Sequence, residues 1–178
     1  FPMLIKTSFP DVDALKFAFL GPFVGAAVRP LGGWVADRLG GARVTLWNFV
    51  VMIGSIFGVL HFLPQGDNPG SFYGFLSMFM LLFITTGIGN GSTFRMIPVI
   101  FRTLHQRWSA GKDQEAQAQA KQQAGMESAA VVGFTSAIGA FGGFFIPIAF
   151  ATAMADAGGP EVAMYIFITY YLSCIGVT

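Results

Sequence analysis

Four stretches of this chain stay apolar for long enough to cross a lipid bilayer, at residues 14–36, 44–63, 72–101 and 129–155, and a fifth at 162–178 nearly does. A hydrocarbon core of about 30 Å takes about 20 apolar residues in helical form. Inside lipid every backbone N–H and C=O must find a partner within the protein, so runs of this kind are helices. Composition agrees: 54% of residues are hydrophobic and 11% charged, where soluble domains carry about 25% charged residues. The expected fold class is therefore an all-α integral membrane bundle of about five transmembrane helices, one domain over 1–178. Phe1 begins inside an apolar run and Thr178 closes another, which predicts a piece of a longer polypeptide.

The connections set the orientation. Arg38 and Arg43 follow the first full span, and Arg102, Arg107, Lys112 and Lys121 follow the third. The connections at 64–71 and 156–161 hold no Lys or Arg. By the positive-inside rule the first pair is cytoplasmic and the second external; the expected location is the cell (inner) membrane, crossed several times. The stretch 102–128, rich in Ala and Gln, is expected to be a partly helical cytoplasmic loop. Pro98 and Pro147 are the expected kink positions in the third and fourth spans.

Arg29 is the only charge in residues 17–36 (FAFLGPFVGAAVRPLGGWVA). A charge at membrane depth is expensive, faces a bundle interior or cavity, and marks a substrate or ion path. At 100° per residue Ala18, Gly21, Gly25, Arg29, Gly32 and Ala36 share one face, and small residues let membrane helices approach closely. That places Arg29 on the protein-facing side. The other reading is an arginine that snorkels to the headgroups, although Asp37 at the turn lies about 12 Å further along the helix.

The fourth span has a barer face still: Gly133, Ser136, Gly139, Ala140, Gly143 and Pro147. Such a face serves helix packing or exposes backbone to a small ligand, and the residues leave both open. In the third span Gly87, Asn90, Gly91, Phe94 and Pro98 line one side, with Asn90 as a polar group between helices and a candidate substrate contact, and Gly87–Gly91 as a small-xxx-small packing pair. Arg95 stands nearer the cytoplasmic end, where snorkelling, gate closure and ligand contact are all open to it.

Other chemistries lack support. The net charge of +1 and scattered basic residues give no footprint for nucleic acid. Cys174 is the single cysteine, which leaves no intrachain disulfide. His61 and His105 have no companions at metal-ligand spacing. Ser92, Ser136 and Ser173 have no His and carboxylate arranged to activate them, so no metal, cofactor or enzyme activity is expected. The spans hold no Asp or Glu.

Several motifs together carry a family resemblance. Gly33-x-x-x-Asp37-Arg38-x-Gly40-Gly41 resembles the cytoplasmic loop motif of the major facilitator superfamily in its second-half copy. The stretch 133–144 (GFTSAIGAFGGF) is similar to the nitrate signature of the nitrate/nitrite porter, or NarK-type, branch. FPDV at 9–12, GPFVGAAVRPLGG at 21–33, GNGSTF at 89–94 and VIFR at 99–102 resemble that branch too. The resemblance implies the C-terminal half of such a transporter, with the spans as helices eight to twelve and a second arginine in the other half. It implies that Arg29 binds the anion, with Gly133, Ser136 and Gly139 close by. The expected activity is alternating-access movement of nitrate or nitrite, and the absence of a carboxylate from the spans favours nitrate/nitrite exchange. Proton-coupled nitrate symport, and a facilitator or channel for another small anion, are the alternatives. The expected partners are the anion, the lipid bilayer and the N-terminal half of the same transporter.

Overall fold

The fold was obtained as a computed structural model, which describes residues 1–65, 68–157 and 159–178, the side chains of Asp156 and Ala157 excepted. The expected external connections fall partly on Gly66, Asp67 and Gly158, which lie outside the described residues. The chain opens with α1 (Pro2–Ser8), followed by α2 (Ala14–Phe17), α3 (Leu20–Ala27) and α4 (Arg29–Leu39). Asp13 starts α2 by accepting the Leu15 N–H at 3.1 Å, a side-chain cap on a free helix donor. The single expected span over 14–36 is thus three successive helical pieces. Pro22 and Pro30 are the cause, since each lacks an N–H and crowds the carbonyl four residues earlier. The Val28 N–H still reaches Val24 O at 3.1 Å, and the Gly32 N–H reaches Val28 O at 3.1 Å, carrying the ladder across the second break.

Gly40 ends α4 at φ +89°, a left-handed conformation that a side chain would strain. The chain then reverses into α5 (Gly41–Phe62), followed by α6 (Phe72–Trp108), α7 (Gln114–Ala157) and α8 (Glu161–Val177). Pro98 and Pro147 both lie within helices that continue unbroken past them. At 1.5 Å per residue the 37 residues of α6 and 44 of α7 extend about 55 and 66 Å, well beyond a bilayer core. The stretch 102–128 is therefore mostly the prolongation of two helices and less of a loop than its polarity suggests. Ala, Gln, Lys and Glu favour helix without help from lipid. Only a short turn is left, with Gly111 at φ +82° and Asp113 capping α7 through the Ala116 N–H at 3.1 Å. Above that turn the buried His105 holds Glu127 at 2.9 Å, fastening the two prolongations together.

α6 is the hub, packing on α3, α4, α5 and α7, while α8 lies chiefly on α5. Among the described residues there is no strand beyond an isolated bridge between Gln65 and Asn68. The densest packing is at the end away from Arg102: Leu4, Ile5 and Phe9 meet Ile56, Val59, Leu63, Phe75 and Phe79. Phe75 is fully buried, its ring centroid 4.8 Å from Phe79 and 5.2 Å from Phe9. In lipid such contacts gain by packing rather than by leaving water. Towards the middle of the bundle the helices meet through glycine instead. A Cβ at Gly32 would strike the Ile88 backbone, one at Gly87 the Gly25 carbonyl, and one at Gly91 the Arg29 carbonyl. The face of α3 and α4 that carries Arg29 therefore lies directly on α6. The chain is an all-α multi-pass membrane protein.

Candidate functional site

The glycine crossing positions the polar residues of the bundle. With α4 drawn hard against α6 at Gly91, Arg29 stands at the edge of a cavity of about 580 Å³. α6 contributes Asn90 to it, and α7 contributes Ser136 and Gly139. Four of the five expected anion-binding residues thus share one cavity. Gly133, six residues before Gly139 on α7, is not among its lining residues. Arg29 is exposed to this space rather than enclosed by it.

Several lining residues carry no signal that sequence reasoning used. Thr45 and Asn48 come from α5, and Thr85, Thr86 and Thr93 from α6. A signal did exist, because Thr86, Asn90 and Thr93 recur at helical spacing in an otherwise apolar run, as do Thr45 and Asn48. Asn48 is buried and gives its amide to Val44 O at 3.0 Å. Thr45 and Ser92 pair their hydroxyls at 3.3 Å, joining α5 to α6.

The donors of this cavity separate into two groups. The hydroxyls of Thr86, Thr93 and Ser136 all bond back to carbonyls of their own helices, at 2.7, 2.9 and 2.7 Å. Their protons are committed, as is usual for Ser and Thr in helix interiors. Among the described residues the side chains of Arg29 and Asn90 donate no hydrogen bond. A fixed positive charge and an amide therefore remain available, and no carboxylate lines the cavity. Chemically this suits a small anion.

Arg29 and Phe94 also border a second cavity of about 560 Å³, nearer the arginine-rich end, which holds Asp37 and Arg95. Arg95 Nε donates to both Asp37 carboxylate oxygens, at 3.2 and 3.1 Å. The loop motif gains a physical account from this neighbourhood. Gly33 lies beside Arg95, with an ordinary contact distance of 3.7 Å from a Cβ built there to Arg95 Cβ. Asp37 anchors that side chain, Arg38 lies 4.0 Å over the Trp34 ring, Gly40 makes the turn, and Gly41 leaves room for Met96.

The bare face of α7 is open. A Cβ at Gly133, Gly139, Gly142 or Gly143 would meet nothing within 4 Å, and Phe134, Phe141 and Phe145 are exposed. These glycines do not serve packing among the described residues, unlike Gly32, Gly87 and Gly91.

No protein-family model matches the chain. Over its whole length it is 50% identical to the nitrate/nitrite transporter NarU of Salmonella typhimurium and 48% identical to NarU of Escherichia coli. It is 30% identical, over 96% of its length, to the probable nitrate/nitrite antiporter NarK2 of Thermus thermophilus. The chain spans 38% of either NarU and 34% of NarK2.

Proposed function

We propose that the chain is the C-terminal half of a NarK-type nitrate/nitrite transporter of the major facilitator superfamily, as its likeness to both NarU proteins supports, and that it forms one side of a secondary transporter's anion site. The transporter moves nitrate or nitrite across the cell membrane by alternating access. The observation that carries this is the donor inventory of the larger cavity, where Arg29 and Asn90 stand uncommitted and no carboxylate opposes an anion. Guanidinium is planar, permanently charged and weakly hydrated, and its paired N–H groups match two oxygens of a flat oxyanion. Lysine offers a point charge instead.

The N-terminal half of the same protein supplies the opposite wall and a second cation. An anion between the two cations removes their repulsion and so favours closure. The open glycine face of α7 gives the halves a smooth surface on which to rock. Exchange of nitrate for nitrite is the preferred mode, supported by the carboxylate-free cavity and by a relative that is named an antiporter. Proton-coupled symport would draw its relay from the other half, and imposed pH gradients separate the two modes.

The deciding experiment is nitrate uptake by the full-length transporter in liposomes. Arg29→Lys keeps the charge and loses the fork, so uptake should fall by about tenfold or more. Uptake and affinity at the wild-type level would sink the assignment.

A further inference from the structure

The Arg95–Asp37 pair lines a cavity that Arg29 also borders, on its side towards the arginine-rich end. Arg29 and Phe94 border both cavities, so Phe94 stands between an upper basin and a lower vestibule. Arg95 lies in that vestibule, one helical turn beyond Gly91, and Gly91 abuts the Arg29 backbone. One turn is about 5.4 Å of depth along the helix. Two arginines therefore border one vestibule, the second nearer the arginine-rich end.

We propose that Arg95 is a second stop for the anion, which passes between Arg29 and Arg95 past Phe94, and that Asp37 holds Arg95 only while that stop is empty. This rests on Arg29 being the anion-binding residue. The ligand class is the same small, planar oxyanion. Asp37 itself supplies the argument, since its carboxylate presents two oxygens in a plane and Arg95 Nε meets both, at 3.2 and 3.1 Å. That single N–H is shared between the two oxygens, so the carboxylate does not engage the paired donors of the guanidinium. Among the described residues neither Nη1 nor Nη2 donates a hydrogen bond, so both are uncommitted. Both partners are substantially exposed, at 62% and 45% of the side chain, and exposed pairs of this kind are weak and readily exchanged. A bracing pair would need neither the uncommitted Nη groups nor a cavity shared with Arg29.

The test measures KM for nitrate separately at the two faces of the full-length transporter, by counterflow in liposomes of known protein orientation. Arg95→Gln should raise the cytoplasmic KM by about fivefold and leave the external KM within about twofold. Asp37→Asn, which frees the guanidinium from its competitor, should lower the cytoplasmic KM by about threefold or more. The double variant should follow Arg95→Gln, since Asp37 acts only through Arg95. Equal shifts at both faces, an unchanged cytoplasmic KM in Arg95→Gln, or the same direction of change in both single variants would overturn the proposal. If Arg95→Gln does not accumulate in the membrane, Asp37→Asn decides alone, and a cytoplasmic KM no lower than wild type rejects the second stop. Failure of the Arg29 assignment reads differently: Arg29→Lys would transport like wild type, whatever the Arg95 variants do.

Discussion

At the scale of single residues, what distinguishes the larger cavity is which donors are already engaged. A serine that gives its proton to a carbonyl of its own helix must break that bond before it serves a ligand. Ser136 is in this position, with Oγ 2.7 Å from Val132 O, while Asn90 is not. Asn90→Ala in the full-length transporter should therefore raise KM for nitrate by about fivefold, the weight of one hydrogen bond to an ion. Ser136→Ala should change it by less than about twofold, since it removes a group that is satisfied elsewhere. Radiolabelled uptake curves for the two variants check this, and a larger effect at Ser136 would reverse the ranking. Arg29 is legible in the sequence because a charge in an apolar run is a local anomaly. Arg95 and Asp37 are each visible alone, but nothing local joins residues 58 positions apart.

At the scale of elements, small residues do two different jobs that look alike in the sequence. Gly32, Gly87 and Gly91 are needed because backbone lies where a Cβ would be. Gly139 and Gly143 have open space before them. Gly91→Val should thus separate α4 from α6 and destabilise the protein by about 1–3 kcal/mol, the usual result of overpacking, while Gly125→Val, on the exposed prolongation of α7 where a Cβ meets nothing within 4 Å, should leave stability nearly unchanged. Thermal unfolding of the full-length transporter in detergent compares them, and equal melting temperatures would refute the close crossing. Helix faces and their periodicity made the packed face of α4 readable in advance, but not that α6 is its partner. The breaks at Pro22 and Pro30 were readable in kind but not in place, since proline marks a helix boundary without fixing which neighbour gives way. The continuation of α6 and α7 through 102–128 was obscured because polarity signals exposure to water and says little about helix. The His105–Glu127 fastening depends on two helices meeting well outside the lipid, which no local pattern records.

At the scale of the whole molecule, order is unevenly shared between the two ends of the bundle. Aromatic packing closes the end built from Leu4, Phe9, Phe75 and Phe79, whereas the middle is held by glycine contacts and stays open beside Arg29. The membrane character and the likeness to nitrate/nitrite transporters were within reach of the sequence, because bilayer thickness and motif spacing are properties of the chain itself; the division of the first span into α2, α3 and α4 was not. The cavity was not, since its walls come from four separate helices. Its committed hydroxyls have a consequence for selectivity. With one guanidinium and one amide to offer, this wall can replace only a few of the water molecules that surround an ion. Ions that surrender their water easily will enter; ions that hold it tightly will be left in solution, whatever their charge or size. Thiocyanate and perchlorate should therefore inhibit nitrate uptake by the full-length transporter, and sulfate and fluoride should not, even at about a hundredfold excess. Inhibition that instead followed ionic radius would mean the cavity sorts its anions by shape rather than by thirst.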